Sequence, residues 1–232
     1  MLEVLFEDDH IVAINKPHGL LVHRSAIATN TDVYAVQELR NQLNCHVSPV
    51  HRLDRKTSGV LLFSKNKDLV APLQQQFASH QVEKTYLAIL RGWTDDNGTI
   101  DYALTNDKGK TQEAITRYNT LERIEIAVPF GKHATSRYSL IEAKPQTGRM
   151  HQLRKHFAHI LHPIIGDRPH GCNKQNKLFL EKWQMSTMLL HAQNLKFTHP
   201  LSTQTIEVKA ELQSEFRRML HTLEFNYSSP SL

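Results

Sequence analysis

No apolar run in the 232 residues approaches the roughly 20 that a membrane-spanning helix needs, so the chain is not read as a membrane protein. There are only two cysteines, Cys45 and Cys172, far apart and without CxxC spacing, which argues against a disulfide framework and against a structural zinc site. The opening Met1-Leu2-Glu3-Val4-Leu5-Phe6-Glu7 lacks a basic leader and a small-residue cleavage site. No secretory signal is expected, and a cytoplasmic location follows by default. Internal repeats, low-complexity tracts and heptads are also missing, so a solenoid or a coiled-coil partner has no basis and a monomer is expected.

What is present is an ordinary globular composition with a basic balance. Hydrophobic residues make up 40% and charged residues 22% of the chain. The formal charge of +5, with 15 histidines uncounted, suits a polyanionic partner. The length fits one catalytic domain spanning 1–232. Leu2–Phe6 and Ile11–Ile14 read as strands around a polar turn, and Asp32–Leu43 as a helix with Asp32 as its cap. Gly59–Phe63 reads as a buried strand, Asp68–His80 as a helix with Leu69, Leu73 and Phe77 inward, and Lys84–Leu90 as a further strand. The polar stretch Trp93–Gln112 reads as an excursion or long loop. Strands follow around 114–118, 122–128 and 136–144, then a basic helix over 147–162, strands at 194–198 and 205–209, and a helix over 211–223. Strands outnumber helices and have short connections, which predicts an α+β fold with a mixed, largely antiparallel sheet flanked by helices.

The nine residues His51-Arg52-Leu53-Asp54-Arg55-Lys56-Thr57-Ser58-Gly59 concentrate the chemistry. They set one carboxylate, Asp54, among three cations on a loop that enters a strand. Nearby positive charge favours the ionised form, and an ionised aspartate can act as a nucleophile. Taken alone, the same residues would read as a surface salt bridge. Histidines 151, 156, 159 and 162 crowd another region, but without HExxH or carboxylate–histidine spacing no metal site is expected, and they read as surface or RNA-facing groups.

Four further segments join that motif in order: Glu83-Lys84-Thr85-Tyr86, Thr147-Gly148-Arg149-Met150-His151-Gln152-Leu153-Arg154, His162-Pro163-Ile164-Ile165-Gly166-Asp167 and Leu190-His191-Ala192. Together they resemble the RluA-type family of pseudouridine synthases over nearly the whole chain, with no S4-type RNA-binding domain ahead of the first strand. The resemblance implies breakage of the uridine C1′–N1 bond, rotation of the base and joining of C1′ to C5. Oxidation state does not change, so no cofactor is expected. Asp54 would act on the sugar or base, Arg154 would pair with it, and Tyr86 would stack on the target uracil. A stem uridine must be extruded at a cost of a few kcal/mol; Arg52 would fill the gap or contact phosphate, and Leu190 would line the pocket. Lys16, His23, Arg24, Lys56, Arg149, Lys155 and Arg168 are candidate phosphate contacts. Further segments, among them Asn15-Lys16-Pro17, Leu21-Val22-His23-Arg24-Ser25 and His170-Gly171, resemble the members that isomerise uridine 65 in the T-stem of transfer RNA. Ribosomal RNA as substrate, or a non-catalytic RNA-binding role, are the alternatives.

Overall fold

The computed structural model describes residues 1–23 and 33–227; Asp32 and Arg24, expected as a helix cap and a phosphate contact, lie outside them. In chain order the elements are β1 (Glu3–Glu7), β2 (Ile11–Lys16), α1 (Ala35–Leu43), β3 (Ser48–Pro49), β4 (Ser58–Ser64), a 3-10 turn (Lys67–Leu69), α2 (Val70–Ala78) and β5 (Glu83–Arg91). There follow β6 (Asn97–Asp101), β7 (Leu104–Thr105), β8 (Thr111–Gln112), β9 (Ile115–Ile126), β10 (Ser136–Pro145), α3 (Gln152–His159), α4 (Asn173–Trp183), β11 (Leu190–Thr198), β12 (Thr205–Lys209) and α5 (Ser214–Thr222). The α+β class with a largely antiparallel sheet is thus as expected. No helix among the described residues is long and apolar enough to cross a membrane. The chain divides into two compact units, 1–84 with 192–213, and 85–191 with 214–232.

In the first unit β1 pairs with β2 and β2 with β4, all antiparallel, and β11 lies between β4 and β12. Every residue of β2 and of β4 is buried, as their continuous apolar runs require of strands covered on both faces. Leu69 and Leu73 bury against Val60 and Leu62, and Phe77 packs on the same cluster. Gly59 has φ +109, and a Cβ there would lie 2.1 Å from the Ala192 carbonyl oxygen, so only glycine lets β4 begin this close to β11. Helix α1 starts at Ala35, capped by extended Tyr34 without a side-chain bond, rather than at Asp32.

In the second unit the order is β5-β10-β9-β6, with β7 and β8 as a separate two-stranded hairpin. The expected strands 114–118 and 122–128 are one twelve-residue strand, β9. Its midpoint does not break because a register shift opposite Leu140 and Ile141 absorbs the irregularity, while the Thr120 hydroxyl bonds that of Thr94 at 2.7 Å. The excursion 93–112 holds β6 and the β7–β8 hairpin, whose alternation is too short to register as a period. Helix α4 was not expected, since its Asn173-Lys174-Gln175-Asn176-Lys177 start carries no apolar stripe.

The basic helix is shorter than the expected 147–162. Gln152 turns its Oε1 back to accept from the Thr147 hydroxyl at 2.7 Å and from the Arg149 N–H at 3.0 Å. His151 adopts a left-handed conformation, φ 57, so residues 147–151 form a folded entry to α3. At the other end Leu161 has φ 65 and is exposed, so the helix stops short of 162, while Leu153 and Phe157 are buried.

Candidate active site

Asp54 opens a turn closed by the Thr57 N–H donating to the Asp54 carbonyl at 3.0 Å. The preceding loop fixes that turn from one side. Gly19 N–H donates to the Arg55 carbonyl at 2.8 Å, and Arg55 Nε donates back to the Gly19 carbonyl at 2.9 Å. Lys16 completes the join: its ammonium donates to the carbonyls of Pro17 and Leu20 at 2.9 Å each and to that of Arg55 at 3.2 Å. Burial pushes the Lys16 pKa down to about 7, with the Asp54 charge pulling it upward. The lysine expected to meet phosphate is therefore fully buried and satisfied by three carbonyls, and its role is corrected to that of an internal staple beneath the aspartate loop.

His51 fixes the loop from the other side. Its Nε2 accepts the Leu62 N–H of β4 at 3.0 Å, and its ring stacks on Phe77 of α2 with centroids 4.6 Å apart. Burial of the ring, aided by the charge of Lys84, lowers its pKa to about 3, so it is neutral at physiological pH. Asp54 and Lys56 on this held turn are half-buried, and Arg52 is exposed. His23 is exposed.

The second unit carries the other expected residues. Arg154, on the first turn of α3, is buried, and Asp167 grips its guanidinium at two points, Nε to Oδ2 at 2.8 Å and Nη2 to Oδ1 at 2.7 Å. Leu190 and Leu153 share one apolar cluster, on whose edge half-buried Tyr86 packs. Tyr86 sits opposite Ala143 in the β5–β10 pairing. Arg149 is half-buried, its Nε donating to the Glu113 carbonyl at 2.9 Å, while Lys155 is half-buried and Arg168 exposed.

The crowded histidines serve four separate ends. His156 is fully buried, contrary to the expected surface placement, between the Thr116 hydroxyl and the Tyr102 carbonyl at 3.0 Å each; burial lowers its pKa. His159 stacks on Tyr102, His162 bonds the Arg91 carbonyl, and His151 bonds His170 at 2.9 Å. Two contributors carry no role in the sequence reading: Asp167, which grips Arg154, and His51, which anchors the Asp54 loop. Asp167 and His51 both stand inside the quoted motifs, so motif membership was their only signal.

The arrangement has a held carboxylate on a cationic loop in one unit, and a buried, forked arginine beside an apolar cluster and an aromatic ring in the other. The sequence matches a family model described as RNA pseudouridylate synthase over residues 10–159. It is 42% identical to tRNA pseudouridine synthase C of Vibrio parahaemolyticus serotype O3:K6 over 236 residues, covering 97% of this chain and 96% of that one. It is 40% identical to tRNA pseudouridine synthase C of Yersinia pestis over 243 residues, 100% of this chain and 95% of that one. Among solved structures, human RNA pseudouridylate synthase domain containing 4 superposes with a TM-score of 0.74 at 26% identity, covering 96% of this chain and 93% of that one. With a family match over most of its length and full-length relatives at this level of identity, the chain belongs to the RNA pseudouridylate synthase family and is a pseudouridine synthase.

Proposed function

We propose that this enzyme converts uridine to pseudouridine in transfer RNA, at position 65 of the T-stem, working as a cytoplasmic monomer whose residues 1–232 form one catalytic domain. The observation that carries the substrate is the 42% identity, over nearly the full length of both chains, to a relative named for tRNA.

In this reading Asp54 is the carboxylate that attacks or deprotonates the ribosyl unit, and Arg154 is the cation that keeps it ionised and aimed. The two-point grip of Asp167 supports that role, because it removes the guanidinium's freedom to rotate before substrate arrives. Tyr86 offers its ring to the extruded uracil and Leu190 an apolar wall; their shared cluster supports assigning both to one pocket. Arg52, exposed on the Asp54 loop, fills the space the base leaves. His23, Lys56, Arg149, Lys155 and Arg168, with Arg24, supply phosphate contacts, which set affinity and salt dependence rather than base identity.

Carbodiimide mapping of pseudouridine in total tRNA and ribosomal RNA, treated with wild-type protein or Asp54→Asn, tests this. A new signal at the T-stem uridine that the variant fails to produce is the expected result. Signal confined to ribosomal RNA would overturn the substrate.

A further inference from the structure

Beside the Gly166-Asp167-Arg168 turn the second unit opens a groove of about 460 Å³, within the size range of pockets that hold a ligand of nucleotide size. Arg168, and Asn173 and Lys177 of α4, line it with hydrogen-bond donors, while Leu180 and Met185 add apolar surface. No carboxylate is among its lining residues.

The cations are available. Arg168 is exposed, and no acceptor among the described residues engages its guanidinium. Among the described residues Lys177 has one ionic partner, Glu181 one turn along α4 at 3.6 Å, with side chains 73% and 64% exposed, a contact worth little in water. The eleven-residue α4 begins at this groove with no side-chain cap from Cys172, so its first N–H groups add positive character. Asn176 is already committed: its Oδ1 accepts the Gly166 N–H at 2.9 Å and its Nδ2 donates to the Asp167 carbonyl at 2.7 Å. It ties α4 to the turn that carries the Arg154 partner.

Two solvent-exposed cations beside an apolar patch match a unit with one negative charge next to a flat, weakly polar body. We propose that this groove is a second RNA subsite, holding one nucleotide of the substrate backbone away from the reacting uridine: its phosphodiester on Arg168 and Lys177, its ribose or base against Leu180 and Met185. The proposal rests on RNA being the substrate. Seating a nucleotide here loads the same turn that positions Asp167, so binding outside the reacting base bears on the arginine grip.

The test uses Asp54→Asn protein, expected to bind without turnover, and measures its affinity for tRNA across a salt series, with and without Arg168→Gln and Lys177→Gln. Each lost phosphate contact lowers the log–log salt slope by roughly 0.9, and the double substitution weakens binding ~10-fold or more at low salt. Glu181→Gln, which releases Lys177 and removes a negative charge near the groove, tightens binding about 2-fold or more. An unchanged slope in the double variant, at an unchanged melting temperature, overturns the subsite. If the wild-type enzyme still forms pseudouridine in that case, the proposed function stands without it. Failure of the wild-type protein to bind any RNA would overturn both.

Discussion

Asp167 meets Arg154 edge-on, two carboxylate oxygens against two guanidinium nitrogens, with both side chains nearly sealed from solvent at 1% and 6% exposure. A forked pair of this kind fixes the plane of the guanidinium as well as its position, which a single contact or a lysine could not do.

Asp167→Asn therefore leaves a buried arginine half-matched. The expected outcome is a loss of about 3–5 kcal/mol of stability, read by urea denaturation. The fall in single-turnover rate on tRNA should exceed the fall in tRNA affinity. Arg154→Lys keeps the charge but loses the fork, and the rate should not recover.

The neutral imidazole of His51 makes stability depend on pH. Its folded pKa of about 3 lies below the ordinary 6.5, so between those values the unfolded chain binds a proton that the folded one refuses. The His51 contribution is then complete above pH 6.5 and is lost progressively as pH falls toward 3, amounting to a few kcal/mol at most, about 1.4 kcal/mol per pH unit of that window. His51→Gln keeps an acceptor for the Leu62 N–H. Denaturation of wild type and variant at pH 7.5 and 5 should show the wild type losing more between the two.

Gly166 has φ +84, and a Cβ there would lie 1.8 Å from the Thr187 carbonyl oxygen. Gly166→Ala has to move backbone next to Asp167, at a cost of about 2–5 kcal/mol from the clash and the left-handed penalty together. Thermal melting should show a large drop. A variant that melts with the wild type would mean the turn can relax.

Arg52→Ala is expected to spare stability to within about 0.5 kcal/mol, since the side chain is exposed. The loss should appear in turnover of stem uridines, with a smaller loss on an unpaired loop uridine, where no helix has to be refilled. Equal losses on both would reduce Arg52 to a phosphate contact.

The sequence made the buried strands legible because β2 and β4 are apolar at nearly every position, and α2 because Leu69, Leu73 and Phe77 recur at helical spacing. It hid the start of α3, where Gln152 and His151 bend a stretch whose composition suits a helix. It hid α4 because polar residues crowd its first turns while only Gln175 and Phe179 are buried. For the candidate site, charge clustering singles out the Asp54 loop but misplaces Lys16: a lysine burying its ammonium under three carbonyls has the same letter as one reaching for phosphate. Asp167 went unassigned because the pairing of two residues thirteen apart, across a turn, follows from the fold alone.

The reciprocal bonds between Gly19 and Arg55 set a ruler on this enzyme. With Lys16 pinned at the end of β2 and Gly19 bonded to Arg55, one residue more or fewer between them displaces Arg55, and with it the adjoining carboxylate. An inserted residue is better tolerated at an exposed turn such as the β7–β8 tip around Asp107-Lys108-Gly109 than between Lys16 and Gly19.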